Sequence, residues 1–184
     1  KIFCPCLPCF WGIDNPYQQV DQSYEGLLER FGRYVNSIGP GLHYINPMTE
    51  KITKVDMKIQ IVDLNRQVVI TKDNIQVNIN TVVYFKVKDP QKAIIEIEDY
   101  EYAVQQYTQA ALRDVCGNAE LDFLLTEREK VAESIRKIVD SETNAWGVDI
   151  ETIKIQEIEL PQEMKRVIGK QAEAEREKRS AIIV

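Results

Sequence analysis

The sequence predicts an α/β fold of the α+β type, with a β-rich first subdomain, a second subdomain of sheet plus helices, and a final charged helix. Between residues 24 and 64, short apolar alternations are separated by turn residues, as in small antiparallel strands. After Asp89-Pro90 the apolar spacing changes to that of helices. After Pro161 the apolar content falls and the charges alternate in sign. These three observations determine the predicted class.

The composition allows one sizeable core, or two small adjoining ones, in 184 residues of which 44% are hydrophobic. The 23 basic and 29 acidic residues give a formal charge of −6, and no basic stripe interleaved with aromatic residues occurs. Nucleic acid is therefore not expected as a partner. No apolar run reaches the ~18 residues of a membrane-spanning helix. An acidic chain can still contact a bilayer through one short segment.

Residues 1–13, KIFCPCLPCFWGI, have the composition of a segment at a membrane interface. They carry one charge, Lys1, and their prolines prevent a regular helix. The residues expected to contact the membrane are Ile2, Phe3, Leu7, Phe10 and Trp11. Residues 14–23 are expected to form a polar linker to the folded part.

Three of the four cysteines, Cys4, Cys6 and Cys9, lie in this first segment, which is not the distribution of a disulfide framework. A zinc site is disfavoured because neither a second CxxC pair nor a nearby histidine completes a tetrahedron. Thiols beside a membrane-facing aromatic segment are acceptors for palmitate, so S-acylation is the favoured interpretation. Metal ligation, a disulfide and unmodified cysteines remain the alternatives.

The folded domain is expected over residues 24–160, with subdomains at about 24–64 and 65–160. Its strongest strand is 75–87, where apolar side chains occupy one face and polar side chains mostly the other. The preceding residues Lys72-Asp73-Asn74 predict a turn.

Two amphipathic helices are predicted after this strand. Asp89 is expected to cap the first helical turn, and Pro90 to occupy it. Within residues 100–116, apolar positions recur at helical spacing, and Gly117 is expected to end the helix in a left-handed conformation. The positions are Val104, Tyr107, Ala111 and Val115.

The next helix is predicted from a capping box of Thr126 and Glu129, and it is expected to end after Trp146 at Gly147. Its apolar side consists of Val131, Ile135, Ile138 and Val139. Residues 148–160 return to strand character with two changes of phase, which bulges would explain.

Residues 161–184 form the predicted last helix, which begins at Pro161 and contains the charged run QAEAEREKR. We expect this helix to bundle with the same helix of neighbouring copies. The residues assigned to this oligomerisation are Glu173, Glu175, Arg176, Glu177, Lys178 and Arg179.

No catalytic, cofactor or metal site is predicted. His43, the single histidine, lies in a strand-like segment with no partner visible in the sequence, which favours a structural role. A thiol dyad of Cys116 with His43 is the catalytic alternative, but the place of Cys116 on an apolar helix face favours a buried, inert cysteine. Neither a GxGxxG turn nor a Walker sequence occurs.

Several short segments occur in a characteristic order and spacing. They are GLLERFG (26–32), GPGL (39–42), INP (45–47), VDMKI (55–59), TKDN (71–74), VYFKV (83–87), WGV (146–148) and QAEAEREKR (171–179). Together they resemble the stomatin branch of the SPFH, band 7 or prohibitin homology superfamily. The resemblance implies an SPFH/band 7 domain followed by a coiled-coil helix, with no catalytic activity and no cofactor.

Stomatin-like proteins are monotopic, palmitoylated and homo-oligomeric, and they organise sterol-rich microdomains and tune channels and transporters. The resemblance therefore implies three kinds of partner: copies of this chain, membrane lipids including sterol, and integral membrane proteins. The cytoplasmic face of the plasma membrane is the expected location, with an organelle membrane as the alternative. For the family's hydrophobic hairpin there are two alternatives: it precedes residue 1, or this chain relies on residues 1–13 instead. The coiled coil is expected to continue past Val184.

Three functions follow as hypotheses. The first is a non-enzymatic scaffold that assembles into a large ring or cage on the membrane. The second is an adaptor that binds and regulates one membrane protein, with assembly secondary. The third is a hydrolase using the thiol of Cys116, which is the least favoured.

Overall fold

The computed structural model of the protein describes residues 16–162, 164–167, 169–170, 174 and 178. Every described residue from Gln162 onward is helical, which agrees with a helix after Pro161. The preceding elements are β1 (Tyr17–Val20), β2 (Tyr24–Arg30), β3 (Arg33–Ile38), β4 (Gly41–Tyr44), β5 (Glu50–Asp56), β6 (Gln60–Ile70), β7 (Gln76–Val87), α1 (Pro90–Ile95), α2 (Tyr100–Asn118), α3 (Leu121–Thr126), α4 (Arg128–Thr143), a 3₁₀ turn (Asn144–Trp146) and β8 (Val148–Glu159).

The chain divides into two compact units, each built from three chain segments. The first comprises residues up to Gln60, Tyr84–Ala103 and Asp140–Glu151, and the second comprises Ile61–Val83, Val104–Val139 and the residues from Thr152. The units are thus interleaved along the chain, whereas the sequence predicts successive subdomains at 24–64 and 65–160. The difference arises because the long strands β7 and β8 each contribute residues to both units.

The first unit contains two small sheets. Strand β1 pairs with β4 in antiparallel fashion, and β2 lies between β3 and β5, again with antiparallel pairing. The prediction that residues 14–23 form a linker is wrong for β1, since Val20 is buried and the strand is paired along its whole length. Its single inward apolar residue among glutamines gives no alternation that a sequence pattern could detect.

The core of the first unit is formed by Leu27, Val55, Val87 and Ala93. Four partly buried residues pack against it: Tyr34, Met57, Ile94 and Tyr100. The ring of Tyr100 also meets that of Phe85 edge to face, with 6.2 Å between the ring centroids, a geometry that aromatic pairs prefer.

The third sheet has the strand order β6-β7-β8. Its central strand confirms the predicted pattern, because one side of β7 is buried throughout. The buried residues on that side are Val77, Ile79, Thr81, Val83, Phe85 and Val87. Strand β8 also confirms a change of phase, since Val148 and Ile150 are buried and the next buried residue is Ile153.

Helix α2 does not end at Gly117 as predicted. The helix continues to Asn118, and Gly117 is not one of the residues with positive φ in the described chain. The Asn118 side-chain amide donates to the carbonyl of Asp114 at 2.9 Å and satisfies one late carbonyl without a left-handed residue. The buried face is also rotated from the predicted one, and it consists of Val104, Thr108, Ala111, Leu112 and Cys116.

Two predicted helix starts are wrong in detail. Thr126 ends α3, and α4 starts at Arg128, so the expected capping box of Thr126 is not formed. Asp89 makes no side-chain cap bond to α1, because its carboxylate turns to Lys92 Nζ at 3.6 Å. Ile138, predicted to lie on the apolar side of α4, is exposed, whereas Ala132 is buried. The predicted end at Gly147 is confirmed by its φ of 74°.

Candidate functional site

The residues predicted to contact or modify the membrane lie outside the described part of the chain. These are Ile2, Phe3, Cys4, Cys6, Leu7, Cys9, Phe10 and Trp11. Of the predicted oligomerisation residues, Lys178 alone is described, and it is helical and exposed. The others lie outside as well: Glu173, Glu175, Arg176, Glu177 and Arg179. S-acylation, membrane contact and the coiled coil therefore stay predictions.

The two residues of the hypothetical thiol dyad, Cys116 and His43, each lie in an environment typical of a structural residue. Cys116 is fully buried, and desolvation raises the pKa of its thiol to about 11, which is the wrong direction for a thiolate nucleophile. His43 lies in β4, where its Nε2 is 2.9 Å from the carbonyl oxygen of Gly39 and donates to it in the matching tautomer. These environments favour structural roles for both residues.

Metal-ligating clusters and membrane-spanning helices are absent from the residues that the structure describes. Among them, no group of three or more His, Cys, Asp and Glu side chains is arranged to hold a metal ion. No helix within these ranges combines the length and the apolar character needed to cross a bilayer.

A strained turn presents the most exposed aromatic side chain among the described residues of the first unit. Arg30 of β2 pairs with Arg33 of β3, so the hairpin loop is the dipeptide Phe31-Gly32. Both residues have positive φ, 51° for Phe31 and 75° for Gly32, as in a type I′ turn, where Asn-Gly is the preferred pair. Phe31 therefore occupies a backbone conformation that a bulky residue rarely adopts, and its side chain is 79% exposed.

The neighbouring loop between β4 and β5 is hydrogen-bonded to this turn. The backbone amide of Phe31 donates to the carbonyl of Thr49 at 2.9 Å. Asn46 closes the loop, because its carbonyl accepts from the amides of Thr49 and Glu50. Met48, within the loop, is the most exposed large apolar residue of the described chain, at 82%. Phe31 and Met48 thus project from two loops that are hydrogen-bonded to each other.

The two-stranded sheet β1-β4 adds three exposed apolar side chains. Tyr17 lies opposite Tyr44 in the pairing, with ring centroids 5.5 Å apart, and Leu42 lies two residues before Tyr44 on the same side. The carbonyl of Pro16 accepts from the amide of Ile45, where β4 runs into the Met48 loop. We call the combined set the tip surface, and it consists of Tyr17, Phe31, Leu42, Tyr44 and Met48.

An ion pair at the base of the tip surface holds the two loops in place. Arg30 Nη2 lies 2.7 Å from Glu50 Oε1, and the Asn46 amide donates to Glu50 Oε2 at 3.1 Å. The Asn46 amide and then the Arg30 guanidinium hold the pKa of the Glu50 carboxyl below its usual value. These polar contacts fix the loops, while the apolar side chains point away into solvent.

The tip surface was not among the sites predicted from the sequence. A signal for it was present, because Phe31-Gly32 stands between two alternating segments where a hairpin turn favours Asn-Gly. An aromatic residue at that position is unfavourable for the turn, which indicates a role outside the fold.

Comparison with known proteins places this chain in a family. Residues 18–184 match the family described as SPFH domain / Band 7 family. The chain is 46% identical over 166 residues to an uncharacterised protein of Archaeoglobus fulgidus, covering 90% of this chain and 67% of that protein. It is 44% identical to a stomatin homolog of Pyrococcus abyssi and 42% identical to one of Pyrococcus horikoshii, each over 165 residues. Each of these matches covers 89% of this chain and 62% of the stomatin homolog.

Proposed function

Since this chain belongs to the SPFH domain / band 7 family, we propose that it is a non-enzymatic scaffold on a membrane surface. In this proposal, copies of the chain assemble into a ring or cage that organises a lipid microdomain. The assembly modulates integral membrane proteins such as channels or transporters. The observation that carries the proposal is the tip surface.

The tip surface has the composition of a membrane interface. It combines two tyrosines with a phenylalanine, a leucine and a methionine, all of them exposed, and such amphipathic rings are favoured at the headgroup level. Its β1 strand begins at Tyr17, shortly after the apolar segment 1–13. Contact with lipid would supply the apolar surroundings that these side chains lack in water. It would also account for a strained aromatic residue at the hairpin tip.

One copy would bind a bilayer weakly by this surface. Partial burial of five such side chains contributes on the order of 5 kcal/mol, and a single acyl chain gives only marginal, reversible binding. Several copies joined in one assembly would combine these contacts and bind firmly without any new contact. Assembly through the helix after Pro161 would therefore strengthen membrane attachment.

A vesicle flotation experiment tests the role of the tip surface. Phe31→Asn suits the left-handed turn and removes the ring, and Met48→Ser removes the second projecting side chain. The double variant should bind vesicles of phosphatidylcholine, phosphatidylserine and cholesterol at least tenfold more weakly than the parent. Tyr102→Gln is the matched control, because Tyr102 is a similarly exposed aromatic residue on α2. Equal binding by the double variant and the parent would contradict the proposed contact.

Truncation after Leu160 tests the role of assembly. A scaffold should lose its large oligomers and its effect on membrane proteins together, whereas an adaptor should keep partner binding as a monomer. Sizes of the gently solubilised full chain and the truncated chain, measured by mass photometry, would decide. Only monomers and dimers of the full chain, at every concentration, would contradict the scaffold.

A further inference from the structure

Strand β6 is a long edge strand, and no described strand pairs with its outer side. Its 11 residues, Gln60–Ile70, contain neither proline nor glycine. Among the described residues it is hydrogen-bonded to one neighbour, β7, in the order β6-β7-β8. Natural edge strands are usually short, bulged or heavily charged, because free backbone groups invite pairing with another strand. Strand β6 carries only two charged residues, Asp63 and Arg66.

The exposed side chains of β6 change phase in the middle of the strand. In the first half, Ile61, Asp63 and Asn65 are exposed, and in the second half Arg66, Val68 and Ile70 are exposed. The buried residues Leu64 and Val69 are five positions apart, so strict alternation is broken between them, as at a β-bulge. Each half therefore presents its own exposed set on the solvent side.

These two exposed sets are complementary to each other in reverse order. When β6 is placed antiparallel to a second β6 with Ile61 opposite Val68, Asp63 comes opposite Arg66. In the same register, Ile70 comes opposite Ile59, an exposed residue one position before the strand. Shifting the register by two residues in one direction puts Asp63 opposite Val68. A shift in the other direction also separates Asp63 from Arg66. Apolar and opposite-charge pairs directly across from each other are the pairs that stabilise a sheet.

We propose that β6 is a self-recognition strand, which pairs antiparallel with β6 of a second copy in the register Ile61 opposite Val68. The interface is two-fold symmetric, so each side-chain pair occurs twice. It joins the two β6-β7-β8 sheets into one sheet of six strands. The contact uses no residue of the tip surface and no residue after Pro161, so it is separate from the proposed membrane contact and the helical bundle.

The present partner of Arg66 does not prevent this pairing. Its guanidinium lies 3.3 Å from Glu159 Oε1, and the Arg66 side chain is 70% exposed. Exposed ion pairs contribute little to stability, so Arg66 can bond to Asp63 of the second copy or share the two carboxylates. The other edge strand, β8, is a poorer partner because its exposed side includes Lys154, Gln156 and Glu157.

Disulfide trapping in the full-length chain tests the register. Ile61→Cys and Val68→Cys are made separately in a background where Cys4, Cys6 and Cys9 are serine. Cys116 can stay, since it is fully buried. Mild oxidation of an equal mixture should give cross-linked dimers that contain one copy of each variant. Each variant oxidised alone should give at least tenfold less, because like residues would lie far apart along the antiparallel pair.

Three other results would overturn the pairing. Dimers from either variant alone at the level of the mixture would indicate another register or random collision. A cross-link between Val68→Cys and Lys154→Cys would indicate pairing of β6 with β8. A mixture that stays uncross-linked at concentrations where the parent chain is oligomeric would exclude the contact. Vesicle binding of the same variants, measured separately, keeps this outcome distinct from the membrane proposal.

A charge exchange provides a second test of the same register. Asp63→Arg places two like-charged pairs in the interface and should weaken dimerisation by about tenfold. Adding Arg66→Asp to that variant should restore most of the affinity. Both are compared in a Glu159→Gln background, so that the introduced aspartate does not face a carboxylate in its own chain. Equal dimerisation by all variants in sedimentation equilibrium would contradict the Asp63–Arg66 pairs.

Discussion

Two turns of this molecule use left-handed backbone in opposite ways. Between β6 and β7, Asn74 has a φ of 61°, and asparagine is among the residues that tolerate this conformation. The buried hydroxyl of Thr71 lies within hydrogen-bond distance of both the amide and the carbonyl of Ile75, which closes this turn. Between β2 and β3, Phe31 has a φ of 51°, and its side chain stands in solvent.

The difference separates a turn whose residues suit its backbone from a turn with a residue that its backbone disfavours. The β6–β7 turn has the residues that turn geometry favours, and its polar groups are satisfied within the turn. The β2–β3 turn has an aromatic residue where asparagine would be more stable. We therefore expect substitutions at the two turns to affect stability with opposite signs.

The largest effect is expected at another left-handed residue, Gly147, where steric contact adds to backbone strain. A Cβ at Gly147 would lie 2.6 Å from the carbonyl oxygen of Asp89, and its φ is 74°. Gly147→Ala should lower the free energy of unfolding by about 3 kcal/mol. Urea denaturation measures this change. Gly39→Ala is the control, since a Cβ there meets nothing within 4 Å. Equal losses at both glycines would contradict the steric explanation.

A smaller loss is expected when the β6–β7 turn is broken. Thr71→Val keeps the shape of the side chain but leaves the Ile75 amide without its hydroxyl acceptor. Because Thr71 is buried, the unfolding free energy should fall by about 2 kcal/mol. Thr71→Ser retains the hydroxyl and should lose less than half as much in the same urea titration. A full loss in the serine variant would assign the effect to the methyl group instead.

The opposite sign is expected at the β2–β3 turn. Phe31→Asn should raise the unfolding free energy by about 1 kcal/mol, because asparagine relieves the strain and an exposed ring is lost. Chemical denaturation monitored by circular dichroism checks this. Phe31→Leu, which keeps a bulky apolar side chain, should give no gain. A destabilised asparagine variant would mean that the Phe31 ring supports the fold.

The smallest effect concerns the acid dependence of the loop beside Phe31. The pKa of Glu50 is lowered in the folded chain, so its contribution is fully present above the pKa of an unfolded glutamate, about 4.3. That contribution is lost as the pH falls through the lower folded pKa. Glu50→Gln should therefore show a shallower loss of stability below pH of about 4.3. Thermal unfolding from neutral to acidic pH measures this, with the exposed Glu129→Gln as control. Parallel curves for parent and Glu50→Gln would contradict the assignment.

The predictable part of the fold followed from periodic burial. The pattern of β7 predicted its bounds within one residue and its buried face, because alternation and burial coincide along the whole strand. The helical end at Gly147 was also predicted correctly, since the left-handed residue there is a glycine. Gly117 gave the same local signal, but α2 continues through it, because the packing of Leu112 and Cys116 outweighs the weak preference of one glycine.

The candidate site was less predictable because it depends on contacts between distant residues. The bond from Phe31 to Thr49 brings together two loops that are separate in the sequence. The sequence shows each of these apolar residues separately and does not show which of them are neighbours in space. Single exposed apolar residues are common on any protein surface. The hairpin and loop geometry is what shows that Phe31 and Met48 project from neighbouring positions.

Cys116 is a natural probe of local opening in the second unit. Its sulfur is sealed from water, and its pKa of about 11 leaves little thiolate at neutral pH. An alkylating reagent can reach it only when the structure around Cys116 opens, so the slow labelling rate measures the free energy of that opening. The labelling rate of Cys116 in the native chain therefore measures local unfolding. This rate should fall wherever assembly keeps the second unit closed.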